Sequence, residues 1–197
     1  MPRNKERALT TPDLVLLSLL AERPMHGYQA NLELERRQVR DWAAVSRPQI
    51  YYSIEKLEQL GYLRSGTDNA PAAGPDRTVY QTTARGRAAL AEALEREDWT
   101  IGRERPPFLT WLALSWQASP ETVRTQIERR RAFLDRELER ERATLRAIRA
   151  EVGHEFHEAV WMVKLIVSQM RVELAWLRKL AREVEHRAAA GNPPERD

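Results

Sequence analysis

The chain has 197 residues, 42% hydrophobic and 31% charged, with 32 Lys and Arg against 29 Asp and Glu and no cysteine. This composition supports a packed core and excludes a disordered chain, disulfides, thiol catalysis and thiolate metal sites. The net charge of +3 is too small to name a partner, so attraction for a polyanion depends on where the charges sit. No uninterrupted apolar run is long enough to span a bilayer, and WMVKLIV (161–167) is far too short. The first ten residues lack the apolar centre of a secretion signal, and a cytoplasmic location is expected.

Thr11-Pro12-Asp13 reads as a helix start: a capping hydroxyl, Pro in the first turn, and an acid at the positive end of the helix. LVLLSLL follows and is apolar on most faces, which predicts a helix buried on several sides. Pro24 stops it, because the residue before a proline disfavours helical geometry. HGYQANLELERRQV predicts a second helix, with Tyr28 and Leu32 along one side and Arg36 and Arg37 near its end. His26 is read as a cap or turn residue.

SRPQIYYSIEKLEQLGYL (46–63) predicts a third helix. Ser46 and Gln49 have capping-box spacing, Pro48 is tolerated in the first turn, and Gly61 is the stop. Ile50, Ile54 and Leu57 form the inward stripe, and Lys56 is placed on the exposed face. Residues 62–83 suggest two short antiparallel strands joined by a long Gly- and Pro-rich loop. ARGRAALAEALEREDW starts another helix. The order matches a helix-turn-helix followed by a hairpin wing that leans on the helices.

The second half begins with a Pro-Pro break and an aromatic helix, FLTWLALS. Ser119-Pro120-Glu121 opens one long helix that runs to Glu151, its seam interrupted by Arg131 and Glu141. Gly153 separates it from a last helix, where Phe156, Val163, Met170, Leu177 and Val184 fall seven apart. Val160, Val167, Leu174 and Ala181 sit four residues after the first four of these. This a/d pattern reads as a coiled-coil seam. Two such helices can pair as a hairpin, yet the last is apolar nearly all round at 160–167. A second copy of the chain is the expected source of further neighbours.

LLSLLAERPMHGYQ, SRPQIYYSIEKLEQLGYL and GPDRTVYQTTARGRAAL together resemble the PadR family of bacterial transcription regulators, over roughly residues 9–95. The C-terminal layout resembles the longer PadR subfamily, whose last helices make the dimer. The resemblance implies a mostly α protein: a winged helix-turn-helix with a small β-hairpin wing at 1–98, a long-helix dimerisation domain at 99–190 and a frayed tail at 191–197. It implies a homodimer that binds double-stranded operator DNA and regulates transcription, expected as a repressor. Tyr52 stands where the family often has Pro, and Arg47-Pro48 replace its usual small pair. The target sequence is therefore not carried over.

The expected DNA contacts are Ser46, Arg47, Gln49, Tyr51, Tyr52, Ser53 and Lys56 on the third helix, with Arg64 and Arg77 in the wing. Gln could pair with adenine, Arg with guanine or phosphate, and the hydroxyls with phosphate. Gln49 is equally accounted for by its capping role, and Tyr51 by partial burial. Glu55 and Glu58 would repel phosphate, so only the leading end of the helix is expected to enter the groove. The expected dimer contacts are Phe156, Val160, Val163, Val167, Met170, Leu174 and Leu177. Trp99, Phe108, Trp111 and Trp116 are read either as core or dimer contacts or as a site for a flat aromatic effector.

His154 and His157 fall outside the seam and read as solvated rather than as a metal site. No metal, cofactor or membrane partner is expected. No Gly-rich phosphate loop or nucleophile motif points to an enzyme. The rival reading is a helical homodimeric adaptor that uses the winged helix for protein contacts.

Overall fold

The computed structural model describes residues 8–43, 45–67, 78–102 and 104–189. The chain divides into two compact units, Met1–Arg103 and Glu104–Asp197. In the first, α1 (Thr11–Glu22) starts one residue later than its cap: Thr10 donates from both its backbone N–H and its hydroxyl to Asp13 Oδ2, each at 2.8 Å. The capping hydroxyl is thus that of Thr10 rather than Thr11, since the acid three residues on is Asp13. Leu14, Leu16, Leu17, Leu19 and Leu20 are all buried, as a helix enclosed on several sides requires.

A two-residue strand β1 (Met25–His26) follows, then α2 (Gly27–Arg36) and the short α3 (Val39–Ala43). Gln38 turns the chain between them with a φ of 52°, in the left-handed region. α4 (Arg47–Gln59) buries Ile50, Ile54 and Leu57 as its periodicity predicts, and Gly61 ends the segment at a φ of 71°. The wing strands are β2 (Leu63–Thr67) and β3 (Thr78–Thr82). They pair antiparallel in the register Leu63↔Thr82 and Ser65↔Tyr80. The sheet has three strands in the order β1-β3-β2, because Met25 and His26 pair with Tyr80 and Val79. Periodicity could not announce β1, since two residues after a proline carry no alternation.

α5 (Ala84–Leu94) is capped by Thr83, whose hydroxyl accepts from the Gly86 N–H at 3.0 Å. It closes tightly on the wing: a Cβ at Gly86 would lie 2.2 Å from the Tyr62 carbonyl oxygen. β3 is tied to α1 by the buried Thr82 hydroxyl, which donates to the Leu17 carbonyl at 2.8 Å. A single turn, α6 (Asp98–Ile101), follows α5.

The second unit holds α7 (Pro107–Leu114), a 3-10 turn at Ser115–Gln117, α8 (Pro120–Val152) and α9 (Glu158–Ala189). Ser119 caps α8 by accepting from the Thr122 N–H at 3.1 Å, and Gly153 ends it at a φ of 73°. The chain then reverses, and α8 and α9 pack along each other with one shared core. Arg130 on α8 grips Glu173 on α9 through Nε at 2.7 Å and Nη2 at 2.9 Å.

This pairing reassigns the heptad seam. Val160, Val163, Val167, Leu174 and Leu177 are buried against α8 of the same chain, with Met170 packed beside them. They were expected to meet a second chain, but the four-residue turn after Gly153 brings α8 back along them first. Phe156 is not in the seam at all: it precedes α9 and is 78% exposed. Glu141, read as an interruption of the α8 stripe, is buried in it.

Candidate nucleic-acid interface

The buried stripe of α4 fixes which way the rest of that helix faces. At about 100° per residue, Pro48, Tyr52, Glu55 and Gln59 fall opposite Ile50, Ile54 and Leu57. All four are exposed. Arg47 and Tyr51 flank this face on one side, and Tyr51 and Tyr52 are large exposed aromatics. Tyr51 is also near the start of α2, where a Cβ on Gly27 would meet its ring edge at 3.6 Å. The half-in, half-out position expected of that ring is what the fold produces.

Two expected contacts turn inward. Ser53 is 1% exposed and lies on the core side of α4. Lys56 is mostly enclosed: its Nζ sits 2.5 Å from Oδ2 of the buried Asp13, with only 11% of the side chain exposed. The sequence reading put both on the outer face. The periodicity of α4 cannot show the inward turn of Lys56, because α1 packs on α4 and brings Asp13 onto Lys56. A buried carboxylate recruits the nearest cation.

The remaining expected residues are held by polar neighbours at the surface. Gln49 Oε1 accepts from the Ser46 N–H at 2.8 Å and from the Ser46 hydroxyl at 2.9 Å, so the capping box engages the oxygen a bidentate adenine contact needs. Arg47 donates to Glu35 Oε1 from Nε at 2.8 Å and Nη2 at 2.5 Å. Arg64 donates across the wing to Gln81 Oε1, at 3.1 Å from Nε. Ser65 donates to Glu58, linking β2 to the end of α4. Arg77 lies outside the described residues.

The sequence reading missed α3 and what it carries. Arg40 reaches the same Glu35 oxygen at 3.2 Å, and Trp42 is 46% exposed. Both lie in RDWAAVSRPQ, a stretch too short for a periodic signal. The leading end of α4 thus gathers Arg40, Arg47 and Glu35 around Ser46. This arrangement can present two guanidinium groups and exposed tyrosines to a phosphate backbone.

The four expected effector residues divide between the units. Trp99, in the first, donates from its indole N–H to the Ala93 carbonyl at 2.7 Å. Phe108 and Trp111, in the second, stack with centroids 5.3 Å apart and pack on the α8–α9 core. Arg130 lies over the Phe108 ring at 5.5 Å. Trp116 is 73% exposed. His154 and His157 lie with ring centroids 6.3 Å apart, and no metal-binding cluster of His, Asp and Glu occurs among the described residues. No described helix is long and apolar enough to cross a membrane.

Residues 16–92 match the transcriptional regulator PadR-like family, so the resemblance read from the sequence is borne out over the winged helix. Among solved structures, Bacillus subtilis PadR in complex with operator DNA is similar over 89% of this chain and 98% of its own, with a TM-score of 0.76 and 14% identity. Bacillus subtilis PadR in complex with p-coumaric acid is similar over 89% of this chain and 96% of its own, with a TM-score of 0.70 and 13% identity. The PadR-like regulator BC1756 from Bacillus cereus is similar over 90% of this chain and 99% of its own, with a TM-score of 0.66 and 18% identity. At these identities the likeness is one of fold: a mostly helical chain with a winged helix and long C-terminal helices. No curated protein sequence matches the chain.

Proposed function

We propose, taking the PadR-like winged helix of residues 16–92 as premise, that this chain is a dimeric DNA-binding transcriptional regulator that acts as a repressor. The observation that carries the reading is the exposed leading end of α4, where Arg47, Tyr51 and Tyr52 stand outward on a helix pinned by Ile50, Ile54 and Leu57. This end enters the major groove, and the wing with Arg64 follows the backbone. Ser46 and Gln49 contribute by fixing the start of the helix rather than by reading bases. A similar fold has been seen on operator DNA in Bacillus subtilis PadR.

The dimer is formed by the face of α9 that α8 leaves open. Trp161, Leu165, Val172 and Trp176 lie within about 60° of one another on a helical projection, opposite the buried seam. They are 53%, 60%, 70% and 42% exposed. An apolar stripe of that length calls for cover, and a second copy supplies a self-complementary one. Two recognition helices can then be set one helical turn of DNA apart, about 34 Å. A small aromatic ligand, by analogy with the p-coumaric acid bound to Bacillus subtilis PadR, releases the DNA by favouring a dimer with a different spacing. Phe108 and Trp111, stacked on the α8–α9 core, are the aromatic residues through which it would act.

The test is a gel shift with the DNA upstream of the protein's own gene at two salt concentrations. A binder that makes several phosphate contacts loses affinity steeply as salt rises. Arg47→Ala is expected to weaken binding and to lower the salt slope by about 0.9, the share of one phosphate. Tyr51→Phe is expected to weaken it too, and neither is expected to move the thermal midpoint. Normal binding by both variants would place the reading surface elsewhere. Salt-insensitive or absent DNA binding would favour the adaptor.

A further inference from the structure

Glu35 stands at the end of α2 with one carboxylate oxygen facing two guanidinium groups. Its Oε1 accepts from Arg47 Nε at 2.8 Å, from Arg47 Nη2 at 2.5 Å and from Arg40 Nη2 at 3.2 Å. The three side chains come from α2, α3 and the first residue of α4, so the helix-turn-helix itself brings them together. All remain open to water, with 31% of the Glu35 side chain, 59% of Arg47 and 49% of Arg40 exposed. Hydrogen bonding from Arg47 holds the Glu35 carboxyl below the usual carboxylate range, so it is ionised at neutral pH.

A guanidinium fork fits a carboxylate and a phosphate with the same geometry. The Arg47 fork cannot hold both. An exposed ion pair is weak enough to exchange partners, and a carboxylate left beside an incoming phosphate would repel it.

Resting on the DNA-binding reading above, we propose that Glu35 is an internal stand-in for a DNA phosphate. It occupies the Arg47 fork in the free protein, and duplex binding must exchange it. Glu35 therefore lowers affinity for every duplex, and only a site that offers further contacts stays bound. Its role is to lower the baseline affinity for duplex DNA, leaving the ratio of operator to bulk binding unchanged, and it is carried by a residue outside the recognition helix.

Glu35→Gln keeps the shape and an acceptor oxygen but removes the charge. Binding is measured on two duplexes of equal length, one with the upstream region of the protein's own gene and one scrambled. The variant is expected to bind both about fivefold more tightly at moderate salt, the share of one exposed ion pair that no longer has to be broken. The gain should disappear in the Arg47→Ala background, which separates fork exchange from a general change of charge. Unchanged or weaker binding by Glu35→Gln would overturn the proposal, since Glu35 would then be inert or a support for Arg47. An equal gain with Arg47→Ala would overturn it as well. If the wild-type chain shows no salt-sensitive duplex binding, the regulator reading fails first and takes the proposal with it.

Discussion

Lys56 and Asp13 decide how α4 is seated. The pair is nearly dry, and the Lys56 Nζ lies 2.5 Å from Asp13 Oδ2. Burial by itself would raise the Asp13 pKa. Hydrogen bonds from Lys56, the Thr10 N–H, Ser53 and the Thr10 hydroxyl outweigh it, and the net shift is downward. Lys56→Met removes the cation and leaves a carboxylate without its main partner. Breaking a buried pair in this way is expected to cost about 3–5 kcal/mol, to be read by urea unfolding at neutral pH. A loss of only a few tenths would mean that water reaches Asp13. The sign with pH follows from the downward shift. An acid with a lowered folded pKa contributes stability above its unfolded value, about 3.9 for Asp, and loses it as pH falls through the folded value. Glu33 behaves alike: hydrogen bonds from Arg36 and then Arg37 lower it from 4.5 to about 2. The thermal midpoint should be level from neutral pH to about 5 and fall below about 4. In Lys56→Met the fall should begin at higher pH, because Asp13 then takes up a proton more readily.

Among the elements, α5 and α8 depend on glycine for different reasons. Gly86 faces the Tyr62 carbonyl so closely that an added Cβ would sit 2.2 Å from its oxygen and 3.0 Å from Thr82 Cγ2. The obstacle is largely backbone and cannot rotate away. Gly86→Ala is expected to cost about 1–3 kcal/mol and to loosen the wing from α5. Gly153 has no atom within 4 Å of the same added Cβ, but its φ is 73°. Gly153→Ala is expected to cost about 1 kcal/mol from backbone conformation alone. Thermal unfolding of the two variants checks the difference; equal losses would mean that the α5–wing contact is looser than its geometry. The stop at Gly61 and the cap at Ser119 were legible in the sequence because caps and left-handed stops are local chemistry. β1 and α3 were not, since each is too short for a period and is held by partners distant in sequence.

For the whole molecule, the question is which face of α9 meets which neighbour. Val163 is 1% exposed and belongs to the α8–α9 core. Val163→Asp and Leu174→Asp are therefore expected to unfold the helical pair, with loss of helical circular dichroism, rather than to release folded protomers. Val172 is 70% exposed on the opposite face. Val172→Asp, alone or with Trp161→Glu, is expected to leave helicity intact and shift the protein to a monomer by size-exclusion chromatography with light scattering. A folded dimer from the double variant would move the partner surface off this stripe. Both stripes could be counted in the sequence, but a heptad pattern does not say whether its partner is the same chain or another.

The sequence alone determined the helices with long periodic stripes, their caps and stops, the wing, and the PadR-like order of the N-terminal elements. Each of these is set by contacts between near neighbours along the chain. Tertiary structure decided that Lys56 and Ser53 turn inward, that Gln49 closes the cap of its own helix, that Glu35 holds Arg47, and that the heptad seam is consumed within one chain. These outcomes depend on which groups meet across the fold. A buried charge takes the nearest opposite one, and a short turn lets a helix pack on its predecessor, whatever its local sequence prefers.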